Sequence, residues 1–389
     1  MSSNVIDLNS NIIKTDSTQP PLKLERGQTI DNFKQKCYEL CQQYLGGIWL
    51  NTTIDEVEVR RLSGGLTNQL YYCAINKTTG NTSGDDIPHE VVVRFYQEKH
   101  FSENERMSDT VIAVLISGNN LGPKLYGIFP GGQIQKYYQH KCFRLEQQKD
   151  PKLVDEVAKR LARIHTMDVP NNRSKNWLFD YFDSYYEKAN QLYNIPALID
   201  EYQCETLKQY DIKQELDWLK DMIIKSKSPI VFNHVDFRGS NIMITENDGL
   251  VLCDFEYSAY GYRGFDFGTI YLEWGTDPLL VYSNGITELA ADTEFEPFIK
   301  SYFQEMVGIY GDKFATDPRN TVDAMLKEIK LFSLVAYMFI VIFTLQQTES
   351  VVNGNPYDKK YEMKEVTEKI YTTYHTLKRK YIQQNLLKF

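Results

Sequence analysis

The sequence predicts an α+β protein of two lobes, a small antiparallel sheet followed by a larger and mainly helical lobe. The chain has 389 residues, which is more than a single hydrophobic core usually serves. Strand-like segments cluster before residue 138, whereas apolar residues recur at helical spacing from residue 139 onward. A polar segment over residues 1–25 contains a Pro-Pro pair and is expected to be a disordered tail.

The first lobe, residues 26–138, is predicted to begin with a helix over residues 31–44 that ends at a Gly-Gly pair. Ser108 is expected to cap a second helix, which ends at Gly118. Runs rich in β-branched and aromatic residues predict the strands between and after these helices. The five strand segments are EVEVRRL, QLYYCAI, EVVVRFY, KLYGIF and GQIQKYY.

The second lobe, residues 139–389, is predicted to be mostly helical. Val154, Val157, Leu161 and Ile164 are three, four and three residues apart, which places them on one helix face. The apolar run LFSLVAYMFIVIFTL is shorter than the roughly 17–25 residues that cross a bilayer, so we expect a buried helix and no membrane span. Further helical patterns cover residues 216–224, 295–310, 321–347 and 358–380.

The composition excludes some classes of function. A formal net charge of −9 argues against nucleic-acid binding, because phosphate backbones bind basic surfaces. The same charge suits a cationic small substrate. The six cysteines form no C-x-x-C pair, which is typical of reduced intracellular thiols. The start of the sequence lacks the pattern of a secretion signal, so we expect a cytoplasmic protein.

The segment VFNHVDFRGSNIMITENDGLVLCDFEYS concentrates polar side chains between apolar runs. Two of these runs flank the turn signal ENDG, so a hairpin is predicted. Centring it on that turn sets Asn241 opposite Asp254, with Cβ atoms about 4.5–5.5 Å apart. An amide oxygen and a carboxylate so placed can share Mg²⁺, which prefers oxygen ligands. A register shift of one residue would put the two side chains on opposite faces.

Asp236 lies five residues before Asn241, on the loop that leads into the hairpin. A carboxylate there is suited to orient a substrate hydroxyl and accept its proton, as phosphoryl transfer requires. His234 is expected to hold this loop by hydrogen bonds rather than to titrate. The alternative is chance, because Asp and Asn are common in turns. The neighbouring DFE tripeptide and a glycine-rich loop upstream favour the catalytic interpretation.

That upstream loop joins the first two predicted strands. Its backbone N–H groups and hydroxyls can cover a triphosphate, although an ordinary glycine-containing hairpin turn has the same composition. Arg94 on the third strand can pair with phosphate oxygens in bidentate fashion, with a surface charge as the alternative. The loop residues predicted to bind the nucleotide are Ser63, Gly64, Gly65, Leu66, Thr67 and Asn68.

These segments resemble the choline/ethanolamine kinase family. The likeness covers residues 30–380 and depends most on the specific motif DFEYSAYGYRGFD. It implies a protein-kinase-like fold, a nucleotide-binding first lobe and a catalytic, substrate-binding second lobe. The implied reaction is phosphorylation of choline or ethanolamine with ATP and Mg²⁺, and a homodimer is compatible with the resemblance. Other matching segments are VFNHVDFRGSNIMI, YLEW, YLGGIWL, RRLSGGLTNQLYYC, NNLGPKLYGIFPGG and LARIHTMDVP.

The resemblance assigns roles in the transfer itself. Asp236 is the implied base, and Asn241 and Asp254 are the implied metal ligands. Residues 63–68 are implied to cover the phosphates of ATP. Arg94 takes the place of the lysine of protein kinases.

The resemblance also implies roles around the substrate and the loop. Glu256 is expected to join the metal or substrate network. Glu273 and Trp274 are expected to form a pocket in which a carboxylate and an aromatic face attract an ammonium group. Arg263 and Asp266 are expected to brace the loop as a structural ion pair rather than to act in catalysis.

The chain departs from the family pattern at several positions. The usual H-N-D reads H-V-D here, and Arg238 and Ser240 replace the usual Gln and Gly of the loop. Asp109 stands where a glutamate usually pairs with the strand arginine, so that contact is expected to be longer or lost. The usual G-N-H-F-x-E-W reads GTIYLEW.

The largest departure concerns the pocket for the ammonium group. Two tryptophans are expected on a late helix, but the sequence places Ile340 and Phe343 there. Tyr357 still resembles the tyrosine that follows. The loss of indole faces weakens cation–π attraction by ~0.5–2 kcal/mol per good contact. Phe343 is therefore either a substrate contact or a packing residue of a buried helix.

Three hypotheses follow. An active choline kinase is favoured by the intact Asp236, Asn241 and Asp254. A kinase for ethanolamine, a methylated ethanolamine or another cationic alcohol is favoured by the altered pocket. A nucleotide-binding pseudokinase that serves as an interaction protein is suggested by the changes in the loop and at Asp109.

Overall fold

A computed structural model describes most of the chain. The described parts are residues 30–62, 68–76, 87–96, 103–174, 176–192, 194–247, 249–277, 289–346, 351–352, 355–356 and 366–389. The predicted tail over residues 1–25 lies outside them.

The first lobe is one antiparallel sheet with two helices. Its five strands are ordered β1-β2-β3-β5-β4. The elements are α1 (Phe33–Leu45), β1 (Val57–Leu62), β2 (Asn68–Ile75), β3 (Glu90–Tyr96), α2 (Glu103–Gly118), β4 (Leu125–Phe129) and β5 (Gly132–Lys136). The predicted helix over 31–44 and all five predicted strand segments are confirmed.

Strand β3 shows how the sheet divides into two faces. Val91, Val93 and Phe95 alternate along it and are buried in the core that α1 covers. Arg94 belongs to the intervening set, so it projects from the opposite face, toward the second lobe. The alternation along β3 therefore directs the guanidinium of Arg94 toward the space between the lobes.

The second lobe contains short strands that position the loops of the site. Strand β8 pairs with β6 and β9, and β7 pairs with β10. The strands are β6 (His140–Cys142), β7 (Ile230–Asn233), β8 (Ile242–Thr245), β9 (Leu250–Leu252), β10 (Ala259–Tyr262), β11 (Val351–Val352) and β12 (Asn355–Pro356).

Helices make up most of the second lobe. They are α3 (Pro151–His165), α4 (Trp177–Leu192), α5 (Ile195–Tyr202), α6 (Glu205–Gln209), α7 (Ile212–Ser226), α8 (Gly264–Leu272), α9 (Asp292–Tyr310), α10 (Asp312–Ala315), α11 (Val322–Gln346) and α12 (Glu368–Gln383). Short 3₁₀ helices cover Gly47–Asn51, Ile54–Glu56, Gln147–Lys149, Gly239–Asn241 and Pro318–Asn320.

Helix α3 confirms the predicted helix face. All four residues from Val154 to Ile164 that share that face are buried. Asp150 caps the helix by accepting a hydrogen bond from the backbone N–H of Lys152 at 2.9 Å. Pro151 occupies the first turn, where its missing N–H costs nothing.

Helix α11 corrects the argument made from the apolar run. The helix has 25 residues, so it is long enough to cross a bilayer, and the length of the run does not exclude a span. Its apolar window is 83% buried inside the protein. Packing against α4, α8 and α12 is therefore sufficient to explain why the sequence is apolar here.

The structure differs from the sequence-based expectations at two helices, one in each lobe. Helix α2 starts at Glu103 rather than at Ser108, and the hydroxyl of Ser108 donates to Asn171 Oδ1 at 3.2 Å instead of capping the helix. Helix α4 was not predicted from the sequence, although Leu178, Phe182 and Ala189 recur at helical spacing and are fully buried.

Candidate active site

The loop between β7 and β8 holds Asp236 and Asn241 in direct contact. The side-chain Nδ2 of Asn241 donates to Asp236 Oδ2 at 2.7 Å and to the backbone oxygen of Asp236 at 2.9 Å. The short 3₁₀ turn Gly239–Asn241 folds the chain back so that residues five apart can meet. Asn241 thereby fixes one oxygen of the carboxylate.

The predicted hairpin forms, but its register is shifted by one residue. Ile244 pairs with Leu250, and the backbone N–H of Cys253 donates to Asn241 O at 2.9 Å. Asn241 is therefore opposite Cys253 and not Asp254. The cause is the turn, which closes between Thr245 and Gly249, with Gly249 in the left-handed region at φ +68°.

Asp254 nevertheless reaches the same region because its backbone leaves the strand in an unusual conformation. Its φ of +65° lies in the left-handed region, which non-glycine residues rarely adopt. Its side chain is partly buried in the cleft, with 39% of its surface exposed. That burial raises its pKa, Arg94 acts in the opposite direction, and the negative charge of Asp236 raises it further. The two carboxylates are thus electrostatic neighbours.

These donors can be tested for their fit to a metal. In the part of the chain that the structure describes, no cluster of three or more His, Cys, Asp or Glu side chains could hold a metal by itself. Asp254 and Asn241 supply one carboxylate and one amide oxygen, which suits Mg²⁺ when nucleotide phosphates and water provide its other ligands. The two like charges of Asp236 and Asp254 also favour a cation between them. The donor set fits a metal that arrives with a nucleotide.

Arg94 is buried rather than a surface charge. Its Nη2 lies 3.0 Å from Glu256 Oε2 and 3.9 Å from Asp254 Oδ1. Burial acts to lower the pKa of Arg94, but Asp109, Asp254 and Glu256 outweigh it and raise that pKa. The charge of Asp109 therefore still reaches Arg94, while the closest ion pair of this guanidinium is with Glu256.

Glu256 has a different role from the one implied by the resemblance. Its carboxylate accepts from Arg94 and also from Asn68 Nδ2, and its side chain is only 4% exposed. Both donors come from the first lobe, whereas Glu256 follows β9 of the second. In this conformation Glu256 joins the lobes and is not presented to a substrate.

Asp266 supports the loop between β7 and β8 through hydrogen bonds to its backbone. Its two carboxylate oxygens accept the backbone N–H groups of His234 at 2.7 Å and Val235 at 2.8 Å. The Nε2 of His234 lies 2.9 Å from Cys253 O, and burial lowers the pKa of its ring. His234 is consequently neutral at neutral pH, and its ring ties the loop to the backbone that follows β9.

Arg263 does not form an ion pair with Asp266, contrary to the expectation. Its Nη2 contacts Glu328 Oε2 at 2.5 Å, and its Nη1 donates to Asn320 Oδ1 at 2.7 Å. Both partners lie at or near the start of α11. Arg263 therefore anchors α8 to α11, while Asp266 alone contacts the loop.

The predicted cation pocket at Glu273 and Trp274 is wrong. Glu273 is 1% exposed, and its Oε2 accepts the backbone N–H of Gly239 at 2.8 Å. The ring of Trp274 is packed against Phe295 and Phe298 at centroid distances of 4.7 and 5.7 Å. Glu273 therefore supports the loop from beneath, and Trp274 belongs to the core.

A different group of aromatic residues, from α4 and α11, packs together in the second lobe. Tyr181 and Tyr185 of α4 have ring centroids 3.6 Å apart, and Phe339 of α11 stacks on Tyr181 at 4.6 Å. Phe343 lies 6.4 Å from Tyr185. We call these four residues, together with Tyr257, the aromatic wall.

The aromatic wall lies beside the candidate base. Burial raises the pKa of both Tyr181 and Tyr257, and the negative charge of Asp236 raises each of them further. An electron-rich surface next to a carboxylate is suited to a cationic group. Of the wall residues, only Phe343 was predicted to contact the substrate, and Tyr181 and Tyr185 were missed because α4 was not predicted.

The remaining predicted residues divide into two groups. Ile340 packs against the hydrophobic core of the second lobe, next to Phe339 of the wall. Five of the six predicted phosphate-covering residues and Tyr357 lie outside the described residues, and only Asn68 of that loop is described.

Comparison with known proteins shows which family the chain resembles in sequence. A family model described as choline/ethanolamine kinase matches residues 59–373. A mouse protein named choline/ethanolamine kinase is 30% identical over 331 residues, which are 82% of this chain and 82% of that protein.

Solved structures show the same fold. A choline kinase from Cryptosporidium parvum superposes with a TM-score of 0.67 at 19% identity, covering 90% of this chain and 97% of its own. An aminoglycoside phosphotransferase bound to ADP superposes with a TM-score of 0.52 at 14% identity, covering 90% and 99%. The predicted two-lobed, protein-kinase-like α+β fold is confirmed.

Proposed function

The chain belongs to the choline/ethanolamine kinase family, whose members are phosphotransferases with an alcohol acceptor, and we propose that it phosphorylates choline with ATP and Mg²⁺. The observation that best supports this proposal is the contact of Asp236 with Asn241, close to Asp254. This contact supports the proposal because it fixes a carboxylate that could receive the acceptor, and because Asn241 and Asp254 would supply oxygen ligands that suit the metal.

In the proposed reaction the acceptor hydroxyl docks against Asp236. Its oxygen forms a bond to the γ-phosphorus while the bond from that phosphorus to the β,γ-bridging oxygen breaks, and ADP departs with the electron pair. The hydroxyl proton passes to the carboxylate of Asp236, which Asn241 holds in place through a hydrogen bond to Oδ2. Mg²⁺ held by Asp254 and Asn241 would neutralise phosphate charge when bound.

The aromatic wall would hold the ammonium end of the acceptor. The negative charge of Asp236 reaches Tyr181 and Tyr257, so a small amino alcohol can place its cation on the wall and its hydroxyl at Asp236. The ring faces attract a quaternary ammonium group through cation–π contact, which needs no N–H donors.

Ethanolamine is the second candidate acceptor. The resemblance implies an indole where Ile340 stands, and the loss of that indole would weaken the attraction for a methylated cation. Tyrosine hydroxyls at the wall can accept hydrogen bonds from a primary ammonium group, whereas choline has no such hydrogens. A comparison of kcat/KM for choline and ethanolamine separates the two.

The test is turnover of purified protein with ATP, Mg²⁺ and a panel of choline, ethanolamine, its methylated forms and neutral diols. We expect ADP release only with the cationic alcohols, and highest kcat/KM with choline. ATP binding without transfer to any alcohol would reject the proposal in favour of a nucleotide-binding interaction protein.

A further inference from the structure

Arg238 lies two residues after Asp236 on the same loop and contacts its carboxylate. Its Nε is 2.9 Å from Asp236 Oδ1, whereas Asn241 occupies Oδ2. The backbone of Arg238 is extended, with φ −141° and ψ 162°, which directs the long side chain back over the loop. Both oxygens of the candidate base are therefore contacted by residues of its own loop.

The ion pair of Arg238 with Asp236 is only partly buried. The side chain of Arg238 keeps 34% of its surface exposed in the cleft, and that of Asp236 keeps 29%. A guanidinium carries five N–H donors in a planar fork, so one edge can contact a carboxylate while another contacts a phosphate oxygen. A small rotation of this side chain can therefore bring it to a second anion without loss of its attraction to Asp236.

The other arginine of the cleft is already engaged. Arg94 is buried and paired with Glu256 at 3.0 Å. Burial is the main influence on the pKa of Asp254, and Arg94 and Arg238 are the two cations that act against it. The charge of Arg238 therefore reaches both Asp236, where the acceptor hydroxyl would lie, and Asp254, where the nucleotide metal would lie.

A phosphoryl group in transfer must pass between these two carboxylates. Building on the proposed function, we infer that Arg238 is a catalytic residue that binds the equatorial oxygens of the transferring phosphoryl group, in addition to holding Asp236. The group carries spread negative charge at that stage, which planar guanidinium donors match. Arg238 gives up no proton. The bonds that form and break are still those between the acceptor oxygen, the γ-phosphorus and the β,γ-bridging oxygen.

The opposing view is that Arg238 only positions Asp236. A double-mutant design separates the two roles. Arg238→Gln and Arg238→Lys are made in the wild type, and Arg238→Gln is also combined with Asp236→Asn. Arg163→Gln is the matched control, since Arg163 pairs with Glu305 at 2.8 Å on an exposed face of α3.

We expect Arg238→Gln to lower kcat by about 10²–10³-fold, the scale of removing one preorganised donor to a charge that develops in the transition state. KM for both substrates should stay within about threefold, because the interaction strengthens in the transition state. Arg238→Lys should recover part of the loss through its charge, and Arg163→Gln should match the wild type. In the Asp236→Asn background, Arg238→Gln should still cost at least about tenfold in single-turnover rate.

A binding measurement provides a second readout. Titration calorimetry with ADP, Mg²⁺, aluminium fluoride and choline mimics the transition state, and we expect Arg238→Gln to weaken this complex at least about tenfold while leaving the affinity for ADP alone unchanged.

Three results would overturn the inference. The first is an unchanged kcat in Arg238→Gln. The second is a single-turnover rate that Arg238→Gln no longer lowers when Asp236 is replaced by Asn. The third is an equal loss of affinity for the aluminium fluoride complex and for ADP alone. An active wild type with any of these outcomes rejects the role of Arg238 alone. A wild type without turnover rejects the proposed function and this inference together.

Discussion

Arg94 Nη2 and Glu256 Oε2 lie 3.0 Å apart and connect strand β3 of the first lobe to the segment that follows Asp254 in the second. Both side chains are buried, at 9% and 4% exposure. In a buried pair each charge depends on the other, because neither is hydrated. Together with the 3.9 Å contact of Arg94 Nη2 with Asp254 Oδ1, this ion pair joins the two lobes.

Removal of Glu256 is expected to destabilise the protein. Glu256→Gln leaves Arg94 without its closest charged partner, and we expect the free energy of unfolding to fall by about 3 kcal/mol. Urea unfolding followed by circular dichroism measures this. Glu58→Gln is the matched control, since Glu58 pairs with Arg60 at 3.3 Å and both side chains are about half exposed. It should change stability by less than about 0.5 kcal/mol, and equal effects of the two variants would refute the assignment.

Asp254 is expected to control the metal dependence of turnover. Asp254→Asn removes the charged member of the proposed oxygen pair, so the Mg²⁺ concentration for half-maximal activity should rise at least about tenfold. The Mg²⁺-dependent increase of the unfolding temperature in the presence of ATP should weaken in parallel. An unchanged Mg²⁺ requirement in both measurements would place the metal elsewhere.

Phe343 is expected to influence the choice of acceptor. Phe343→Trp enlarges the aromatic face near Tyr185, which lies 6.4 Å away. Since a better cation–π contact contributes ~0.5–2 kcal/mol, the ratio of kcat/KM for choline to that for ethanolamine should rise about 2- to 30-fold. Because a loss of folded protein lowers kcat/KM for both substrates by the same factor, their ratio does not depend on the folded fraction. A fall in both values by the same factor would mean that Phe343 only packs.

Gly239 is expected to tolerate no side chain. A Cβ there would lie 2.0 Å from the backbone oxygen of Phe143 and 3.2 Å from Glu273 Oε2. Gly239→Ala must therefore displace the loop that carries Asp236, and we expect kcat to fall about 100-fold. Gly308→Ala is the control, because its Cβ meets open space in helix α9 and should stabilise the protein by about 0.5–1 kcal/mol. Full activity of Gly239→Ala would show that the loop can adjust.

Stability is expected to fall in mild acid, in part because of His375. Its ring stacks on Tyr210 at 3.7 Å, and burial lowers its pKa to about 4, against the attraction of Glu215 and with further lowering by Lys378 and Arg379. The unfolded chain, with a pKa near 6.5, then binds more protons than the folded one. The contribution is present above pH 6.5 and is lost as the pH falls toward 4.

The variant His375→Gln should show a shallower loss of stability between pH 6.5 and 4. Chemical denaturation at several pH values measures the slope. His140→Gln serves as the control, since His140 is exposed on β6. A slope that is the same in all three proteins would contradict the assignment.

Much of the fold was predictable because its signals are local. The alternation of β3 and the buried face of α3 are periodic patterns that the structure reproduces. The position of Asp236 and Asn241 on one short loop was also predictable, whereas the hydrogen bond between their side chains was not predicted. The register of the next hairpin was not, since it depends on whether Gly249 takes a left-handed conformation, and Gly249 tolerates several turn types.

The rest of the site depends on tertiary contacts that spacing does not encode. Val235 and Asp254 both have positive φ, +74° and +65°, and a valine in that region is a genuine outlier. Glu256 was assigned to the substrate because its neighbour Asp254 has a catalytic assignment, and only the approach of the first lobe shows its actual partners. Trp274 was misassigned because an aromatic residue beside a carboxylate looks the same in a pocket and in a core.

The burial of α11 has a consequence for how the protein is made. This helix leaves the ribosome before α12, which covers part of its surface, and Thr344 cannot yet form its 2.7 Å hydroxyl contact with Thr367. Until α12 has been synthesised, the apolar surface of α11 is exposed to chaperones, to membranes and to other nascent chains. Premature release upstream of α12 should therefore yield aggregates rather than a smaller active enzyme.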